Sequence, residues 1–107
     1  MSLNSLRDRA FLMASAKGWH DVPRPVPESL CLIHSEVSEA LEGLRAGWPV
    51  DQVFIENSKP EGIPVEMADI IIRVLDFCGE HGIDIERVVE QKMAYNATRP
   101  HRHGKKL

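Results

Sequence analysis

The sequence predicts an all-α protein: four helices packed as a bundle in one domain. Three observations carry that expectation. Apolar residues recur at three- and four-residue spacing in four stretches, Gly and Pro punctuate the gaps between them, and no segment shows a convincing strand pattern. At 107 residues the chain has room for a single domain over 1–107, and 43% hydrophobic with 27% charged residues is the composition of an ordinary soluble globular protein. There is no internal repeat and no low-complexity tract.

The first helix is expected from about Asn4, as N-cap, to Lys17, with Gly18 as its stop. Three prolines stiffen the connector Trp19–Pro27. A second helix follows from about Glu28 to Arg45 and closes at Ala46-Gly47, with Pro49 beyond. Residues 47–62 lack sustained periodicity and read as a long loop placed to cover a site. Pro64 suits the first turn of a third helix that reaches about Glu80, and Gly82 ends it. Asp84 caps a fourth helix running to about Thr98, before Pro100. The economical arrangement is an up-and-down bundle. A chain this short buries only about two-thirds of its unfolded surface, so self-association is expected, as a homodimer or homotetramer.

Several classes are excluded. No run approaches the roughly 18–20 apolar residues of a membrane span, and Arg73 interrupts the longest apolar stretch, Ile70-Ile71-Ile72. The N-terminus has no basic region followed by an apolar stretch and a cleavage site, so the expected location is cytoplasmic. Cys31 and Cys78 lie in apolar helical patterns and not in a C-x-x-C pair, and are expected as reduced core thiols.

The net charge of −3 hides a division. Residues 1–91 hold all sixteen acids against eight Lys/Arg, eight units negative; residues 92–107 hold five Lys/Arg and no acid. An acidic body with a basic end suits a cation and a polyanion together, whereas a nucleic-acid binder is more often basic throughout. The tail over about 99–107 is short and has no aromatic interleaving, so no stable nucleic-acid partner is expected.

On the second helix Leu30, Ile33, Val37, Ala40, Leu41 and Leu44 fall within an arc of about 100°, with Glu36 and Glu39 stacked beside it as i,i+3 neighbours. Such a pair alone is most often solvated surface. The third helix says more. Its apolar residues cover about 220° of the circumference and leave a narrow strip of Glu66, Asp69, Arg73 and Asp76. A helix this apolar is expected to be largely buried, with its acids facing a confined space. Arg73 offers ordinary helix ion pairs to Asp69 and Asp76 but leaves Glu66 without a partner. The alternative is a divalent cation: with the two helices side by side, Glu36, Glu39, Glu66 and Asp69 converge as hard oxygen ligands suited to Mg²⁺ or Mn²⁺.

The inner face of the fourth helix begins with Ile85, Val88 and Val89 and continues with Lys92, Tyr95, Asn96 and Arg99. Cations beside an amide suit phosphate oxygens, and Tyr95 can stack or donate a hydrogen bond. The plainer account is a helix C-terminus stabilised through its dipole.

Glu36-x-x-Glu39, Glu66-x-x-Asp69 and Lys92-x-x-Tyr95-Asn96-x-x-Arg99, in this order, resemble the MazG-like all-α nucleoside triphosphate pyrophosphohydrolases. The strings His34–Leu41, Glu66–Ile70 and Lys92–Pro100 sharpen the resemblance, which spans about Leu30 to Lys106. One position departs: the first motif of the family often opens with a double Glu, and here Ser35 stands first. The resemblance implies Mg²⁺-dependent hydrolysis of a (d)NTP to monophosphate and pyrophosphate in an oligomer of helical bundles, clearing particular nucleotides from the pool. It implies Glu36, Glu39, Glu66 and Asp69 as metal ligands, with Glu36 or Glu39 orienting the attacking water. Lys92, Asn96 and Arg99 would hold phosphate or sugar. Trp19-His20 and Trp48 are candidates to stack on a nucleobase, or else cap the bundle ends; His34 is expected to be packed or hydrogen-bonded rather than catalytic. Two further readings stay open: a nucleotide-like substrate such as phosphoribosyl-ATP, and a non-catalytic oligomerisation or nucleotide-sensing module.

Overall fold

The computed structural model describes residues 1–106; Leu107, the end of the basic tail, and the His103 side chain lie outside the described residues. Four helices dominate: α1 (Leu3–Ala16), α2 (Val26–Arg45), α3 (Ile63–Glu80) and α4 (Ile85–Ala97), followed by a short 3₁₀ turn over His101–Gly104. The α-helical class is as the apolar spacing predicts.

The loop expected over 47–62 contains a β-hairpin instead. Strands β1 (Phe54–Glu56) and β2 (Lys59–Glu61) pair antiparallel, Phe54 opposite Glu61. Its two-residue turn, Asn57-Ser58, has both residues at positive φ, 54° and 64°, the conformation whose twist matches a hairpin. A three-residue strand is too short for alternation to stand out, which is why periodicity misses it.

Two helix starts also shift. Ser2, not Asn4, caps α1, in a reciprocal box with Ser5. Asn4 turns outward to α4: its amide donates to Asp84 Oδ1 at 2.9 Å and its oxygen accepts from the Glu86 backbone N–H at 3.3 Å. The Leu3 N–H donates to Glu86 Oε1 at 3.0 Å, so the beginnings of α1 and α4 are clasped together. Helix α2 begins at Val26, because Pro27 in its first turn needs no amide donor.

Helix α3 is central, with α1 and α2 packed on it; α4 leans on α1. At the far end of α2, Trp48 folds back over Gly43 and meets Phe54 edge-on at 5.3 Å between ring centroids. A Cβ at Gly43 would lie 2.2 Å from Trp48 Cε3, so only glycine admits the indole there. Trp48 thus secures the hairpin to α2, in keeping with a capping role.

Burial departs from expectation. Among the described residues the buried hydrophobic core is Ala40, Leu75 and Cys78. Cys31, expected in the core, is exposed; Cys78 is buried as expected, and burial raises its thiol pKa. His34 is exposed, not packed. Four of the six residues in the α2 arc, Leu30, Val37, Leu41 and Leu44, are about half exposed. Helix α3 is not largely buried either: Met67, Ile71 and Ile72 are open to solvent while Glu66, Asp69, Arg73 and Asp76 are half-buried. The polar strip faces inward and part of the apolar surface faces out, the reverse of a helix satisfied within one chain.

Candidate metal centre and adjoining groove

The centre forms where α2 and α3 lie side by side. One carboxylate oxygen from each of Glu36, Glu66 and Asp69 lies within 4.8 Å of the other two, and all three side chains are half-buried. Glu36 comes from the middle of α2, and Glu66 and Asp69 from the first two turns of α3, at i,i+3 spacing on the inward face. Opposite ligands of an octahedral Mg²⁺ are about 4.2 Å apart, so small side-chain adjustments bring three hard oxygens around one ion, with positions left for water and phosphate. The donor set therefore fits a divalent cation.

The electrostatics point the same way. Burial, followed by repulsion from Asp69, Glu36, Glu39 and Glu61, raises the Glu66 pKa above the ordinary carboxylate value. Burial and Glu36 raise that of Asp69, against the pull of Arg73 and Lys59. Negative charge is concentrated here beyond what nearby cations compensate. Glu39 is exposed and its carboxylate lies outside the converging triad, although its charge reaches Glu66. The hairpin contributes Glu61 and Lys59, paired at 3.5 Å, which sequence reading missed along with the hairpin itself.

Arg73 makes a different contact from the expected pairs along its own helix. Its Nε donates to Glu36 Oε1 on α2 at 2.7 Å, with Glu36 15% and Arg73 35% exposed. Asp76 is taken instead by His20. That imidazole lies between two carboxylates, Nε2 2.7 Å from Asp76 Oδ1 and Nδ1 2.6 Å from Glu80 Oε2, with the Phe11 ring 4.9 Å away. A neutral imidazole carries one N–H, so satisfying both contacts calls for the imidazolium. Burial works to lower the His20 pKa, but hydrogen bonding and charge from Asp76 and Glu80 outweigh it and the value is raised.

Beside the triad runs a groove of about 590 Å³ between α1 and α3, lined by the carboxylates Glu36, Asp69 and Asp76 and by apolar residues such as Ala10, Ile72 and Leu75. Four cations line it: Arg9 from α1, Lys17 at the C-cap of α1, Arg24 from the connector, and Arg73. Trp19 also lines it, 59% exposed, with the Arg24 guanidinium 5.8 Å from its ring centre. The α1 cations carried no motif that would have marked them.

Of the residues expected on the inner face of α4, Lys92 and Arg99 flank Tyr95. Tyr95 lies between Lys92 Nζ at 4.9 Å and Arg99 Cζ at 5.5 Å from its ring centre, with the ring exposed. Asn96 Oδ1 is shielded from solvent and accepts no hydrogen bond among the described residues. No α4 residue lines the groove, and the cations that act most strongly on Asp69 are Arg73 and Lys59. The structure thus brings Glu36, Glu66 and Asp69 together, sets Trp19 in the adjoining groove, and places Lys92 and Arg99 against Tyr95, with neither these three nor Asn96 lining the groove. Comparison with protein-family models, with curated proteins and with solved structures finds no match for the chain, so its function is argued from these residues.

Proposed function

We propose that the protein is a divalent-cation-dependent nucleoside triphosphate pyrophosphohydrolase of the MazG-like type, acting on a (d)NTP to give the monophosphate and pyrophosphate. The observation that carries the proposal is the convergence of Glu36, Glu66 and Asp69 beside a groove lined by cations and an exposed indole. When bound, Mg²⁺ or Mn²⁺ at such a triad neutralises the triphosphate and polarises the phosphoryl centre. The remaining work falls to the chain. Glu36 or Glu39 orients a water towards the α-phosphorus. The bond from that phosphorus to the α,β-bridging oxygen breaks as the new P–O bond forms, pyrophosphate leaves, and the water's proton passes by way of that carboxylate to solvent. Lys92 and Arg99 hold phosphate oxygens, and the unpaired Asn96 Oδ1 suits a sugar hydroxyl as donor. Trp19 offers a face to the base.

The protein works as a homo-oligomer in this proposal, a dimer or tetramer. Its accessible surface is 8127 Å², against about 6000 Å² for a compact monomer of 12.1 kDa. A Cα radius of gyration of 16.3 Å likewise exceeds the roughly 13 Å of a compact chain this long. The exposed apolar residues of α2 and α3 supply a surface for the partner.

A nucleotide panel with Mg²⁺, analysed for products, tests the activity. Monophosphate plus pyrophosphate is expected, and diphosphate plus phosphate contradicts the bond assignment. Glu66→Gln should lose turnover by two or more orders of magnitude while its circular dichroism stays helical; unchanged turnover removes Glu66 from the site. One contact favours a second reading. The Arg73–Glu36 ion pair is what a non-catalytic helical module would use to satisfy its acids, and absence of turnover across the panel supports it.

A further inference from the structure

We propose that Arg73 is an exchangeable occupant of the metal centre: in the metal-free chain its guanidinium compensates Glu36, and a divalent ion entering the triad releases it into the adjoining groove to bind an anionic group. The inference rests on the metal centre proposed above and adds its regulation, a coupling between cation loading and anion binding.

Arg73 is placed for both positions. Its Nε is 2.7 Å from Glu36 Oε1, the α2 contribution to the triad, so ion and guanidinium compete for one carboxylate. The side chain also lines the groove, with Arg9, Lys17 and Arg24. Among the described residues Arg73 pairs with no second carboxylate, although Asp69 and Asp76 stand at its i−4 and i+3 positions on α3. Asp76 is held by His20, so it is not a ready alternative partner. Released from Glu36, the guanidinium moves towards the other cations of the groove. The carboxylates that also line the groove are engaged in the metal-loaded chain, Glu36 and Asp69 by the ion and Asp76 by His20. An added anion therefore compensates the cations, and a guanidinium fork matches its geometry well.

The consequence is reciprocal linkage. A cation at the triad frees a donor for the anion, and an anion holding Arg73 in the groove leaves Glu36 open to the cation; each tightens the other by the same factor. Simple charge attraction between cation and anion gives linkage too, but does not require Arg73 to leave Glu36.

The test uses the intact protein with Mg²⁺ alone and then sulfate. The Arg73 Nε–Hε signal, assigned by its loss in Arg73→Gln, is followed in ¹⁵N–¹H spectra during a Mg²⁺ titration run in parallel with calorimetry. The signal should shift with the calorimetric midpoint, and sulfate should move it again only in the Mg²⁺-loaded protein. Removing the competitor in Arg73→Gln should tighten Mg²⁺ binding roughly three- to fivefold, the upper end of what a partly exposed ion pair contributes. Arg87→Gln, with the same charge change on α4, should stay within about twofold. Arg73→Lys, which keeps the charge, should lie between wild type and Arg73→Gln. Mg²⁺ binding with an unmoved Arg73 signal, or weaker binding in folded Arg73→Gln, overturns the exchange and leaves the metal centre standing. A calorimetric blank with Mg²⁺ overturns both.

Discussion

Glu66 and His20 show opposite consequences of placing a charge in a half-buried site. The strongest influences on Glu66 all raise its pKa, and none is a cation. In the metal-free protein its charge therefore opposes folding. Glu66→Gln should raise the melting temperature of the metal-free chain by roughly 1–3 °C at neutral pH, the size of a sub-kcal/mol gain in a domain of this length. The same substitution should remove turnover and the stabilisation that Mg²⁺ gives the wild type. Thermal scans with and without Mg²⁺ check both signs. For His20 the folded pKa is raised above its ordinary 6.5. Its pairing with Asp76 and Glu80 therefore stabilises the fold fully below that ordinary value, while the carboxylates stay ionised. The contribution is lost as pH rises through the raised value. The stability advantage of wild type over His20→Gln should be largest near about pH 6 and shrink steadily above it; an advantage that grows with pH would contradict the assignment of His20 as imidazolium.

At the scale of elements, the contacts that place the site run between segments distant in sequence. Four helices are legible because apolar spacing, Pro and Gly are local signals, and Asp84 caps α4 where its position suggests. Asn4 is not legible in the same way: it is a good cap by type, yet Ser2 takes that role and Asn4 bonds to Asp84 and Glu86, 80 and 82 residues ahead. The hairpin lies between these cases, since Asn57-Ser58 is a turn signal but a weaker one than Asn-Gly. Ser58 sits at φ 64°, where a side chain is strained and glycine is not. Ser58→Gly should stabilise the protein by about 0.5 kcal/mol in urea unfolding, the gain at the turn being partly offset by the added freedom of the unfolded chain. Gly43→Ala should act the other way. A methyl group there meets the Trp48 indole, and about 1–3 kcal/mol of overpacking would loosen the hairpin that carries Glu61 and Lys59.

At the scale of the molecule, the acidic triad was legible from Glu36, Glu66 and Asp69 at helical spacing, whereas its relation to α4 was not. Periodicity reports which face a residue occupies but not which helices meet, and α4 packs on α1 with none of its residues lining the groove. The burial expected for α3 failed for a related reason: its apolar breadth was correct, but one chain does not cover it, and Met67, Ile71 and Ile72 remain exposed. A second chain can resolve both observations by covering that surface and presenting its own α4 cluster to the triad. Ile71→Glu should then shift the mass measured by light scattering towards 12.1 kDa, because it sets a charge among the exposed apolar residues Met67, Ile71 and Ile72. A shared site makes a sharper prediction. Glu66→Gln lacks a working triad, and Lys92→Ala with Arg99→Ala lacks the phosphate-holding cluster, so each variant alone should be nearly inactive. When the two are co-refolded in equal amounts, half of randomly assembled dimers are mixed. Each mixed dimer joins one intact triad to one intact cluster, so turnover should recover to about a quarter of wild type. No recovery, with mixed dimers confirmed by mass, would place the triad and the α4 cluster of each working site on a single chain and require α4 to move towards the triad when nucleotide binds.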